Sequence, residues 1–139
     1  MTASPASVPG AVQIMVVDDS ATIRELIALN LGLEGYDVVT AVDGHDCLRL
    51  LDGVIQGGAT APDLLCLDVV MPGLDGVELT AKLKATPATQ DIPILIVSAS
   101  AQRRDFELAQ GAGADGYLTK PFAPDELLAE VERLVGRRP

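Results

Sequence analysis

Leu64-Leu65-Cys66-Leu67-Asp68-Val69-Val70-Met71-Pro72-Gly73 decides the fold of this chain. Apolar residues run unbroken from Leu64 to Leu67, a single carboxylate follows, and Pro72-Gly73 breaks the chain. A short apolar run bounded by turn signals reads as a strand buried on both faces. In open parallel sheets, ligands bind outside the carboxyl ends of the strands, so Asp68 stands where a site would be. An aspartate there can also do no more than cap a βα turn. The ends of the other strands tip the reading towards a site.

Before this run, Ala11 to Val17 is apolar apart from Gln13 and ends in Asp18-Asp19-Ser20. Ser20 suits the N-cap of a helix whose buried face carries Ile23, Leu26, Ile27 and Leu31, closed by Gly32 and Gly35. Tyr36 to Ala41 is a strand. Asp43 and Gly44 start a helix that buries Cys47, Leu48, Leu51, Val54 and Ile55. After Asp68, Asp75 caps a helix reaching about Lys84. Ile92 to Ser98 is an apolar strand ending in a hydroxyl. Gln102 to Gln110 reads as a helix with Phe106 and Ala109 inward. Asp115 to Thr119 is a strand ending at Lys120-Pro121. Pro124 to Val135 is amphipathic and closed by Gly136. Strands alternating with helical crossovers mean an α/β fold: five parallel strands and five helices, doubly wound, with both sheet faces covered.

At 139 residues the chain is one domain by length. Residues 1–10 read as a disordered leader, 11–136 as the domain and 137–139 as a tail. The composition is 48% hydrophobic and 3% aromatic, so the core is aliphatic. No run approaches the length needed to cross a membrane, and the start lacks a signal-peptide pattern, so a cytoplasmic location is expected. The net charge of −10 argues against a nucleic-acid partner and suits a cation or a basic protein surface. Cys47 and Cys66 lack metal-site spacing and read as reduced, buried thiols. His45 is the only histidine, on the surface, which removes histidine-based catalysis.

All strands of a parallel sheet end on one rim. That rim collects Asp18 and Asp19, Asp68, Ser98 and Lys120. Clustered carboxylates repel one another unless a cation joins them, and hard oxygen donors suit Mg²⁺. With a hydroxyl and an ammonium beside them, the set fits phosphoryl transfer, where positioning and charge neutralisation dominate. An aspartate can itself be the nucleophile. Asp68 stands alone, opposite Ser98 and Lys120, and is the better nucleophile; the adjacent Asp18 and Asp19 suit metal holding. No GxxxxGK[ST] loop is present, so the phosphoryl donor is a phosphoprotein or a small phosphodonor rather than ATP bound by that route.

From about Val12 to Val135 the sequence resembles the receiver domain of two-component response regulators, of the chemotaxis single-domain kind. The resemblance is carried by Val17-Asp18-Asp19-Ser20, Leu67-Asp68-Val69-Val70-Met71-Pro72-Gly73-Leu74-Asp75-Gly76, Val97-Ser98-Ala99, and Gly113-Ala114-Asp115-Gly116-Tyr117-Leu118-Thr119-Lys120-Pro121-Phe122. It implies a flavodoxin-like sheet of order 2-1-3-4-5 and a phosphoacceptor at Asp68. It also implies Mg²⁺, or Mn²⁺ in its place, held by Asp19, Asp68 and the Val70 carbonyl, with Asp18 acting through water. Ser98 and Lys120 would bind the phosphoryl group, Tyr117 would be the aromatic switch, and the Lys120–Pro121 bond would be cis. The phosphoryl source would be a histidine kinase or a histidine phosphotransfer protein, docking on Ala21 to Leu31 with Phe122 and Ala123. Output would be a conformational switch read by a downstream protein, from a monomer or a weak dimer formed on phosphorylation. The chain would not be an enzyme beyond its own phosphorylation and slow dephosphorylation.

Val70, two residues after Asp68, and Ser100, two after Ser98, flank the route of an attacking water. Neither is an amide or an acid, which points to slow loss of phosphate. Three further readings compete. An aspartyl phosphatase needs a second carboxylate where Val70 stands. A pseudo-receiver that only binds a partner would not need the complete acidic set. A flavodoxin-like cofactor protein needs aromatics that the composition lacks. The chain could equally be a receiver excised from a longer kinase or cyclase.

Overall fold

The structure is a computed structural model and describes residues 11–136; the leader and the tail expected from the sequence lie outside them. The elements follow in strict alternation: β1 (Gln13–Val17), α1 (Ala21–Leu33), β2 (Asp37–Ala41), α2 (Gly44–Ile55), β3 (Leu64–Asp68), α3 (Gly76–Lys84), β4 (Ile94–Ser98), α4 (Arg103–Ala112), β5 (Gly116–Thr119) and α5 (Pro124–Val135). All strands are parallel and their order is β2-β1-β3-β4-β5, as the resemblance implied. β3 begins at Leu64 as expected, and the other four strands begin one or two residues later than their apolar runs suggested; the Val12 and Pro93 carbonyls still accept the Asp37 and Leu65 amides at 2.9 and 3.0 Å at the strand entries.

Successive strand residues point to opposite faces, so each strand feeds two cores. Ile14 and Val16 of β1 join Ile27 and Leu31 of α1 and Leu127, Val131 and Leu134 of α5. Met15 and Val17 join Cys47 and Leu51 of α2, Leu79 and Leu83 of α3 and Ala109 of α4. Burying each such aliphatic side chain is worth about 1.5–3 kcal/mol against leaving it exposed. Cys47 and Cys66 are buried and free, and burial pushes both thiols up to about 12, which keeps them protonated.

Some positions differ from the expected faces. Leu26 is 46% exposed. The buried stripe of α1 runs Ile23, Ile27, Leu31, and Leu26 lies about 100° round the helix from its centre. Phe106 is 43% exposed, because β5 is an edge strand and offers only the edge of Tyr117, at 5.6 Å between ring centroids. Ile55, in the last turn of α2, is 37% exposed. Gly136 follows α5 in right-handed geometry rather than as a left-handed cap.

The turn after β3 fixes the site. Asp75 caps α3 and forms a capping box with Glu78. The Gly76 amide donates to the Val69 carbonyl at 2.9 Å, pressing the helix start against the end of β3. A Cβ on Gly76 would lie 2.2 Å from the Asp68 carbonyl oxygen, so only glycine permits this approach.

Gly76→Ala is therefore expected to destabilise the domain by about 3 kcal/mol. Gly32→Ala, in α1 with nothing within 4 Å of the added Cβ, is expected to stabilise by up to about 1 kcal/mol. Urea midpoints for the two variants check both signs.

Candidate functional site at the carboxyl rim of the sheet

Register brings the rim together. Val17 pairs with Leu67 and Asp68 with Val97, so Asp18, Asp68 and Ser98 emerge side by side from β1, β3 and β4. Ser98 pairs with Thr119, and the Lys120 amide donates to the Ser98 carbonyl at 2.7 Å, which sets the lysine above the acids. The Lys120–Pro121 peptide is cis.

One carboxylate oxygen from each of Asp18, Asp19 and Asp68 lies within 4.8 Å of the others. Asp18 and Asp68 are buried while Asp19 is exposed. Lys120 Nζ donates to Asp18 Oδ2 at 3.1 Å and to Asp68 Oδ1 at 3.2 Å. Asp18 Oδ1 accepts the Ser20 amide at 2.9 Å, so both of its oxygens are engaged. Asp68 Oδ2 has no hydrogen-bond donor among the described residues, yet it is not sealed in. The only fully buried side-chain nitrogen or oxygen without a partner among them is Asn30 Nδ2. Asp68 therefore offers a reachable oxygen, as a nucleophile requires.

The Asp68 carboxyl is held above the usual aspartate range, first by burial and then by the Asp18 charge, against which Lys120 pulls it down. The cluster fits a hard divalent cation: oxygen donors only, excess negative charge, one acid open to solvent and one with an unshared oxygen.

Ser98 is 4% exposed and its Oγ accepts the Ser100 amide at 3.1 Å. Tyr117 is partly buried and its hydroxyl donates to the Ser100 carbonyl at 2.7 Å. Val70 is 77% exposed beside the site. His45 is exposed, as expected. Asp18, Asp19, Asp68, Ser98 and Lys120 lie on the rim, Ser100 is one hydrogen bond from it and Tyr117 two, through Ser100, and Val70 borders it.

Sequence reading missed two contributors. Arg24 Nη1 donates to the Asp18 carbonyl at 2.7 Å and ties the first loop to α1. Its signal was available: it stands four residues after the N-cap Ser20, on the first turn beside the rim. Asp105, in the first turn of α4, accepts from Ser100 Oγ at 2.5 Å. An acid in a first turn is too common to single out without the loop geometry.

The chain matches the family model of the response regulator receiver domain over residues 14–132. It is 40% identical over 129 residues to the DNA-binding dual master transcriptional regulator RpaA of Synechocystis, covering 90% of this chain and 49% of RpaA. It thus spans about half the length of that relative. Among solved structures, the chemotaxis protein CheY4 of Vibrio cholerae is similar at 29% identity and a TM-score of 0.81, over 90% of this chain and 99% of that one. The signal receiver domain of a signal transduction histidine kinase from Syntrophus aciditrophicus is similar at 32% identity and a TM-score of 0.82, over 93% and 95%.

Because native Asp68 binds its proton more tightly than the unfolded chain does, stability contributed by this site falls as pH rises through the raised carboxyl range. In metal-free buffer near neutral pH, Asp68→Asn is expected to raise the melting temperature of the domain. The gain should vanish below the ordinary aspartate range, where both carboxyls are protonated. Thermal melts against pH check the sign.

Proposed function

The chain belongs to the response regulator receiver domain family, and from that premise we propose that Asp68 accepts a phosphoryl group from a phosphohistidine of a kinase or phosphotransfer protein. The observation that carries this reading is the reachable Asp68 oxygen beneath Lys120, one strand from the Ser98 hydroxyl. An Asp68 oxygen attacks phosphorus, the P–N bond to the donor imidazole breaks, and the nitrogen leaves with its electron pair. Lys120 faces the charge that builds on the phosphoryl oxygens. Ser98 is placed to donate one hydrogen bond to them.

Asp19, Asp68 and the Val70 carbonyl would hold Mg²⁺, with Asp18 acting through water; the ion supplies neutralisation of the phosphoryl charge. Mn²⁺ is the alternative ion. The chain turns over no separate substrate in this reading. Its product is a population shift between conformations, with Tyr117 as part of the readout. The segment Ala21 to Leu31 of α1, where Leu26 and Leu29 are exposed, is the surface for the phosphodonor, with Phe122 and Ala123. The domain works in the cytoplasm as a monomer or a weak phosphorylation-dependent dimer. Among the described residues no helix is long and apolar enough to cross a membrane.

The expectation of no nucleic-acid partner needs correction in scope. It rests on the net charge of −10 alone. RpaA is DNA-binding and about twice as long as the matched stretch, so a longer protein carrying this domain could act on DNA. For the domain itself the output is protein contact.

Intact mass after incubation with Mg²⁺ and acetyl phosphate tests the reading. One added phosphoryl group is expected, absent in Asp68→Asn and absent with EDTA; labelling that persists in Asp68→Asn would refute it. Val70→Asn, which gives a water a hydrogen-bonding neighbour, is expected to shorten the phosphoryl half-life roughly tenfold, about 1.4 kcal/mol of barrier. Decay of the phosphorylated mass after donor removal reads it.

A further inference from the structure

Ser100 has each of its polar groups engaged. Its amide donates to Ser98 Oγ at 3.1 Å, and its carbonyl accepts the Tyr117 hydroxyl at 2.7 Å. Its own hydroxyl accepts the Gln102 amide at 3.2 Å and donates to Asp105 Oδ2 at 2.5 Å. A hydroxyl has one proton to give, and here Asp105 takes it. A hydroxyl bond to a carboxylate is roughly twice as strong as one between neutral groups.

Asp105 sits in the first turn of α4, where the N-cap Gln102 makes no side-chain bond to the helix. Its carboxylate also suits the positive end of the helix dipole. The Ser100–Asp105 bond is therefore the side-chain tie between the β4–α4 loop and the helix.

The helix on the far side of that tie is weakly held. Ala109 is the only buried side chain of α4, and Leu108 is 53% exposed. A cavity of about 650 Å³, lined in part by Val70, Ser98, Ala101, Asp105 and Leu108, runs along the same loop. Close-packed interiors resist displacement; here there is room for it.

We propose that Asp105 is a positioning residue that carries the displacement of Ser98 into α4, through Ser100 and separately from Tyr117. The inference rests on the reading of Asp68 as phosphoacceptor. When Ser98 Oγ swings to donate to a phosphoryl oxygen, the Ser100 amide that it holds follows. The Ser100 hydroxyl then pulls Asp105 and with it the first turn of α4. Tyr117 senses the same residue through its carbonyl, so the branches part at Ser100.

Backbone amide NMR of the full chain, with Mg²⁺ and beryllofluoride as a phosphoryl mimic, tests this. Wild type, Asp105→Ala, Asp105→Asn and Tyr117→Phe are compared. Amides around Asp68 and Ser98 are expected to shift in every protein. Amides of Gln110, Gly111 and Ala112, at the far end of α4, should shift in wild type and Tyr117→Phe. They should lose most of that shift in Asp105→Ala and regain it in Asp105→Asn, whose amide oxygen still accepts. Undiminished α4 shifts in Asp105→Ala would overturn the inference alone, as would their loss in Tyr117→Phe. No response around Asp68 in wild type would overturn the phosphoacceptor reading and this inference with it. If Asp105→Ala loses amide dispersion, Ser100→Ala removes the same bond from the other side and is read by the same outcomes.

Discussion

One ammonium holds two buried carboxylates apart from open repulsion. Lys120 reaches Asp18 and Asp68 at nearly equal distance, and Asp19 lies close enough to share a cation with both. Coulomb repulsion between acids at this spacing is worth several kcal/mol where solvent screens poorly. A single lysine does not cancel it: the Asp68 carboxyl is raised first by burial and then by the Asp18 charge, against which Lys120 pulls it down. The rim is thus built to gain from positive charge and to lose from the negative charge of a phosphoryl group unless Lys120 and a cation face it. That imbalance is what makes the site responsive.

The sheet makes the imbalance tolerable. Strands β1, β3 and β4 are buried at nearly every position and packed between aliphatic layers, so Asp18 and Asp68 are anchored on rigid, buried termini, while Asp19 stays open to solvent. Gly76 adds to this by letting α3 close against the backbone of Asp68. The stability of the cores is large enough to carry an unfavourable cluster of charge at one edge, as functional sites commonly require.

Most of this was legible from residue order. Unbroken apolar runs such as Leu64–Leu67 and Ile94–Val97 have few readings other than central strands, and a parallel sheet brings all their ends to one rim. Asp18, Asp68, Ser98 and Lys120 needed no tertiary information beyond that. What escaped depends on geometry that spacing does not encode. Leu26 and Phe106 are apolar and lie next to buried positions, yet α1 buries a narrow stripe and β5 is an edge. Asp105 acts on a loop hydroxyl, which has no sequence signature of its own, whereas the position of Arg24 one turn after the N-cap Ser20 was a signal left unread.

The same contrast explains where motion can arise. A packed core has discrete arrangements and passes displacement on only where something is free to move. Helices α1 and α5 each bury at least two large side chains in the core, whereas α4 buries only Ala109. Ser98 is the one rim residue whose hydroxyl faces both worlds: it stands beside the acids and holds the loop that leads to the loosest helix. A hydroxyl can donate to a new partner while still accepting from an old one. Charge arriving at Asp68 can therefore draw on Ser98 without first breaking the loop's hydrogen bonds. The loop moves as a unit, and the element that yields is the one the core holds least.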